Sequence, residues 1–129
     1  MWARPFSSNT GVSVDEDAVY STDDRSHVWA IDRNNGATLW KQDKLQARSV
    51  TRPVILKDYL VVGDYAGYLH VMSKSDGRFL ARIQVDEEGI LVPPMVHNDR
   101  ILVLSRDGLL ESYTLEDVVE YSFDEEADF

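Results

Sequence analysis

VWAIDRNNGATLW, residues 28–40, runs from an apolar stretch through a polar turn to a tryptophan four residues past a glycine. Forty-one residues later the chain reads LHVMSKSDGRFLA, residues 69–81, with the turn and its glycine kept and alanine in the last place. The spacing holds along the chain without a gap. Asp23 falls on Asp64, Val28 on Leu69, Ala30 on Val71, Gly36 on Gly77 and Leu39 on Leu80. Further on, Pro53 falls on Pro94, Asp58 on Asp99, Leu60 on Ile101, Gly67 on Gly108 and Leu69 on Leu110. One spacing kept across apolar, turn and proline positions together marks an internal repeat, and the repeat decides the fold before any single element does.

Each unit reads as four short strands. In the best-preserved unit RPVIL leads through Lys57-Asp58 to YLVVGD, then through Tyr65-Ala66-Gly67 to YLHVMS, and through Ser75-Asp76-Gly77 to RFLARIQV. Runs of Val, Ile, Leu and Tyr bounded by Gly and Asp turns are hairpin signatures. No stretch before the C-terminal tail carries a helical apolar period. Leu60, Val61 and Val62 are consecutive, as are Ile101 to Leu104, so these strands are apolar on both faces and their sheets must be covered on both sides. Four-stranded units at this period predict an all-β chain, an incomplete β-propeller of about three antiparallel blades. The expected parts are an outermost blade strand over 1–6, a blade over 12–44, a blade over 53–86, a three-stranded blade over 93–115 and an acidic tail over 116–129. Within that tail VVEYSF, residues 118–123, is a candidate extra strand.

Within the opening stretch Val28, Ala30 and Ile31 fall in a third strand, Asp32 to Gly36 in the following turn, and Trp40 on the outermost strand, facing the next blade. Gly36 is expected to take a positive φ, which costs a residue with a Cβ about 1 kcal/mol or more. Burying the Trp40 ring contributes about 2–3 kcal/mol. Trp40 is therefore read as a packing peg, Gly36 and Gly77 as docking positions, and the joint after Ala81 as a weaker one.

Ala30-x-Asp32-x-x-x-Gly36-x-x-x-Trp40 resembles the tryptophan-docking repeat of quinoprotein-like propellers. That resemblance implies a tryptophan that locks blade to blade and touches no cofactor. The stretch from Thr38 to Leu115, above all VVGDYAGYLHVMSKSDGRFLA (61–81), resembles the C-terminal blades of the BamB family of outer-membrane protein assembly factors. The resemblance implies a non-enzymatic subunit of the β-barrel assembly machinery, periplasmic and outer-membrane associated, built as an eight-bladed propeller. It further implies docking on the POTRA domains of BamA and delivery of unfolded outer-membrane protein clients. Against that pattern the sequence carries only three blades' worth of strands, and the lipoprotein signal, the lipidated cysteine and the earlier blades are expected to lie outside it. The family's known BamA-contacting motifs fall in those other blades.

Composition narrows the rest. The formal net charge of −10 argues against nucleic acid as a partner, because phosphate binding is driven by Lys and Arg. The absence of cysteine rules out disulfides, thiol catalysis and Cys-ligated zinc. MWARPFSSN shows neither a basic nor an apolar leader region. Asp15-Glu16-Asp17 aligns with hairpin turns and is explained by turn propensity; Asp23 recurs as Asp64 and is a repeat feature. Asp32-x-Asn34-x-Gly36 lacks the remaining ligands of a calcium loop, with Asp43 where a Glu is required. His27, His70 and His97 have no metal-ligand spacing. No catalytic, cofactor or metal residue is assigned.

The connections between blades are the better binding candidates: Leu45 and Arg48 in residues 44–49, Ile90 and Leu91 in residues 87–92. The same apolar residues also suit plugs between blades. Open blade faces predict self-association, and residues 1–6 can complete a blade only across chains or after a large bend. The principal reading is a protein-interaction scaffold of BamB type. The alternatives are a remnant of a PQQ-dependent dehydrogenase propeller, or a short protein whose blades assemble between chains.

Overall fold

The structure, a computed structural model, describes residues 1–90 and 92–122. Three antiparallel sheets follow one another along the chain. The first contains β1 (Val12–Val14), β2 (Ala18–Thr22), β3 (Val28–Asp32) and β4 (Thr38–Gln42). The second contains β5 (Val54–Leu56), β6 (Tyr59–Gly63), β7 (Tyr68–Ser73) and β8 (Phe79–Gln84). The third contains β9 (Met95–His97), β10 (Arg100–Leu104) and β11 (Leu110–Thr114). Every sheet is a meander in which each strand pairs with its neighbours in sequence. The result is an all-β, incomplete propeller with blades of four, four and three strands that do not close on themselves.

The repeat extends to the hydrogen-bond register. The β3–β4 ladder slips between Ala30 and Ile31, and the β7–β8 ladder slips between Val71 and Met72, the same two positions one repeat on. The bulge precedes the glycine turn in both blades, and bulges raise local twist. In the third blade Asn98 and Asp99 both have positive φ, 49° and 62°, the signature of a two-residue type I′ hairpin.

The core lies between the sheets. Tyr20, Val28, Ala30 and Trp40 of the first blade pack with Leu60, Val62 and Met72 of the second. Val61, Leu69 and Val71 of the second blade pack with Ile101 and Val103 of the third. Adjacent residues of β6 thus point to opposite faces, and both faces are covered. This is the reason consecutive apolar residues are tolerated at 60–62.

Two expectations are corrected. Residues 1–6, expected as an outermost blade strand, join none of the three sheets. The tail does not supply a strand at 118–122, where the described chain forms α1 (Leu115–Ser122); residue 123 lies outside the described residues. A reciprocal cap explains the helix. The Thr114 amide donates to Asp117 Oδ2 at 2.8 Å, and the Asp117 amide donates to Thr114 Oγ1 at 3.1 Å. Two of the first turn's amides are satisfied at once, and Glu116 and Asp117 lie at the positive end of the helix dipole. The β-propensity of the valines is overridden by this cap and by burial of Val118. Val118 occupies the repeat position of Gly36 and Gly77 and joins the cluster that contains Ala81. A small residue for tryptophan on one side of this joint is matched by a large residue for glycine on the other.

Candidate functional site

The peg geometry is explicit. Gly36 and Gly77 both have φ of 75°. A Cβ on Gly77 would overlap the six-membered ring of Trp40. The indole N–H of Trp40 donates to the Lys74 carbonyl at 2.9 Å, and Gln42 Nε2 donates to the Gly77 carbonyl at 2.9 Å. The ring also stands 6.4 Å from that of Tyr20. Trp40 therefore sits between two blades and lines none of the clefts described below.

Trp2 repeats this arrangement one blade earlier, which sequence reasoning missed. A Cβ on Gly36 would overlap the Trp2 ring. The Trp2 indole donates to the Arg33 carbonyl at 2.7 Å, and Arg4 Nη1 donates to the Gly36 carbonyl at 3.1 Å. Arg33 and Lys74 are one repeat apart, but Trp2 and Trp40 are three residues closer than the repeat, and this shortening hid the equivalence.

At the end of the blades where β2 turns into β3 and β4 passes to β5, an aspartate organises each turn. Asp23 Oδ1 accepts the amides of Arg25 and His27; Asp64 Oδ1 accepts those of Ala66 and Tyr68. The second oxygens meet residues at one repeat position: Trp29 Nε1 donates to Asp23 Oδ2 at 2.8 Å, and His70 Nε2 to Asp64 Oδ2 at 2.8 Å. Arg48 Nε adds a second bond to Asp64 Oδ2 at 3.0 Å. Burial raises the Asp64 pKa, but bonds from His70, the Tyr68 amide and Arg48 outweigh it and hold the carboxyl below the ordinary range. Burial pushes His70 below its ordinary value despite Asp64.

Of the candidate partner-binding residues, Leu45 and Ile90 are fully buried. Leu45 packs in the cluster between the first two blades and Ile90 in that between the second and third, so neither presents a surface to a partner. Arg48 is partly exposed and spends its guanidinium on Asp64. Leu91 lies outside the described residues. The structure does not bring Leu45, Arg48 and Ile90 together as one patch.

It does form a cleft of about 470 Å³ between the first two blades, reaching Pro93 of the third. Asp24, Ser26, Ser49 and Arg52 contribute to its wall. Ser26, Ala47 and Ser49 in this wall have positive φ of 65°, 65° and 51°. Such conformations are sparse for residues with a Cβ and gather where surrounding structure fixes them. Ser26 shows how: its Oγ accepts the Val50 amide at 3.0 Å. Arg52 Nε is buried here with no hydrogen-bond partner among the described residues. The cleft is built from blade connections, and its wall carries Asp23, Asp24 and Arg52 as charged groups. Among the described residues no group of three His, Cys, Asp or Glu is placed to hold a metal ion. Asp32 Oδ1 instead accepts the amides of Asn34 and Asn35 within its own turn.

On the opposite side an ion pair also joins the first two blades. Lys74 Nζ lies 2.9 Å from Asp15 Oδ2. Burial raises the Asp15 pKa, but Lys74 and the amides of Ala18 and Asp17 prevail and bring it from 3.8 down to about 2. The folded pKa is below the unfolded one, so the contribution is complete above 3.8 and is lost as pH falls through about 2. Lys74→Met is expected to move acid unfolding to higher pH, followed by circular dichroism. An unchanged acid midpoint contradicts the pairing.

Comparison with known proteins follows the same lines. A family model for the outer membrane protein assembly factor BamB matches residues 1–42 and 35–120. The BamB of Shewanella oneidensis is 41% identical over 115 residues, covering 89% of this chain and 29% of that protein. The BamB of Escherichia coli K12 is 38% identical over 114 residues, covering 88% of this chain and 29% of that protein. The crystal structure of BamB from Moraxella catarrhalis superposes with a TM-score of 0.80 at 27% identity, covering 86% of this chain and 34% of that one. A quinohemoprotein alcohol dehydrogenase from Pseudomonas putida superposes with a TM-score of 0.69 at 19% identity, over 80% of this chain and 18% of that one, a likeness of fold alone. The chain thus spans under a third of the length of these curated relatives. With blades, pegs and sequence all following one pattern, the chain belongs to the family of the outer membrane protein assembly factor BamB.

Proposed function

We propose that this chain is a non-enzymatic interaction module of outer-membrane protein assembly, acting on the periplasmic side of the outer membrane. The observation that supports this most is the match to BamB proteins over nearly nine-tenths of the chain, at about 40% identity, carried by the same blades. Its partners are the POTRA domains of BamA and unfolded outer-membrane protein clients. Burial of Leu45 and Ile90 moves the proposed contact from those side chains to the exposed parts of the same connections and to the adjoining cleft. Lys44 and Gln46 stand exposed there, and half-buried Arg52 lines the cleft. Polar and charged groups at such a rim govern specificity and encounter rate more than affinity.

The test is titration of the folded chain with purified BamA POTRA domains by calorimetry. Saturable binding is expected, and Lys44→Glu is expected to weaken it about tenfold, about 1.4 kcal/mol, without changing the circular dichroism spectrum. A folded chain that binds no POTRA domain overturns the reading.

A further inference from the structure

The turn on which Trp2 docks carries the one Asn-Gly pair of the sequence, Asn35-Gly36. Asparagine deamidates most readily before glycine. With no Cβ on the next residue, that residue's nitrogen reaches the asparagine Cγ and closes a five-membered ring. One repeat on, the same position is Asp76, again before a glycine. The two side chains make the same bond. The Ala37 amide donates to Asn35 Oδ1 at 2.9 Å, and the Arg78 amide donates to Asp76 Oδ1 at 3.0 Å.

In the first turn this bond has a second effect. It draws the Asn35 side chain forward across Gly36 and sets an N–H on the oxygen that gains negative charge when Cγ is attacked. Asn35 itself is exposed. What opposes the reaction is the hold on Gly36. Its N–H donates to the Asp32 carbonyl at 2.9 Å, the Trp2 ring fills the space its side chain would take, and its carbonyl accepts from Arg4 Nη1 at 3.1 Å. For the nitrogen to attack, it must leave Asp32 and the Gly36 peptide must turn, which Trp2 and Arg4 resist from both sides. This hold is looser than the one on Gly77, because Trp2 is half-buried whereas Trp40 is buried. Asp76 also lacks the leaving group, and its negative charge repels a nucleophile.

We propose that Asn35 is a site of spontaneous deamidation and that Trp2, seated on Gly36, sets its rate. The Gly36 nitrogen bonds to Asn35 Cγ and gives up its proton, and the side-chain nitrogen takes a proton and leaves as ammonia. Water then opens the succinimide. Breaking the bond to Cγ gives aspartate with the backbone unchanged. Breaking the bond to the main-chain carbonyl carbon gives isoaspartate, with the chain routed through the side chain. The aspartate product fits, since Asp76 holds that place in the second blade with the same bond. The isoaspartate product lengthens the backbone by one carbon between Asp32 and Gly36, so the Gly36 amide moves off the Asp32 carbonyl and Trp2 loses its seat. The reaction unlocks the first peg and leaves the second in place.

The test holds the chain in mildly alkaline buffer, where the amide gives up its proton more readily. Peptide mapping by mass spectrometry with electron-transfer fragmentation follows it and tells isoaspartate from aspartate. Deamidation is expected at Asn35, with Asn9, Asn34 and Asn98 unchanged. It is expected to run about tenfold faster in Trp2→Ala, the rate change that about 1.4 kcal/mol gives. Arg4→Ala, which releases the Gly36 carbonyl, is expected to accelerate it by a smaller factor. Asp76-Gly77 is the internal gauge, expected to stay free of isoaspartate while the first turn reacts. Asn35→Asp is expected to keep the melting temperature of the unsubstituted chain, and the isoaspartate fraction to melt lower. Equal Asn35 rates in the unsubstituted chain, Trp2→Ala and Arg4→Ala overturn the inference. So does deamidation spread over the other asparagines, isoaspartate formed equally at Asp76, or an isoaspartate fraction that melts with the unmodified chain.

Discussion

Trp40→Ala is expected to destabilise the chain by about 3–5 kcal/mol, the range for deleting a large buried aromatic. The ring is only 9% exposed and fills the space that Gly77 leaves by having no side chain. Removing it opens a cavity that Gly77 cannot fill and leaves the Lys74 carbonyl without its indole donor. Blades contact mainly their neighbours, so the damage falls on one joint. Denaturant unfolding followed by the fluorescence of the remaining tryptophans measures it. Trp2→Ala is expected to cost less, because Trp2 is only half-buried and belongs to no sheet. A loss under about 1 kcal/mol at Trp40 contradicts the peg role, since a surface substitution costs that little.

Gly67→Ala is expected to cost about 3 kcal/mol or more. Gly67 has a φ of 86°, and a Cβ there would overlap the backbone carbonyl oxygen of Asp86. A left-handed residue with a Cβ costs about 1–2 kcal/mol, and forcing an atom into filled space adds about 1–3 kcal/mol. The obstacle is backbone on a connection that also hydrogen-bonds back to Gly67, through the Val85 amide. One repeat earlier the same position is Ser26, with a φ of 65°. Ser26→Gly is expected to cost only about 1 kcal/mol, the worth of the hydrogen bond its Oγ accepts from Val50. Thermal unfolding of the two variants side by side checks the contrast. Equal losses would contradict it.

Much of the architecture could be read from residues because repeat positions carry their physics with them. Gly36 and Gly77 need a left-handed backbone, and Asp23 and Asp64 need a turn whose amides they accept. Consecutive apolar residues at 60–62 need two covered faces, and they have them. What escaped reading had lost either its spacing or its residue type. Trp2 sits three residues out of step. Trp29 and His70 perform one task with unlike side chains, so the Asp64–His70–Arg48 cluster had no visible parent in the first unit. Thr114 and Asp117 did carry a capping signature, but the neighbouring valines and tyrosine favoured a strand. The partner-binding candidates rested on apolar character, and that same character drew Leu45 and Ile90 inside.

The exchange at Ala81 and Val118 bears on how such arrays lengthen and shorten by duplication. A copied 41-residue module inserted between the first and second sheets would meet a tryptophan before it and a glycine after it, and would fit as an interchangeable part. Inserted after the second sheet, it would face a partner shaped for a helix. Growth by copying is therefore open at one boundary of this chain and shut at the other.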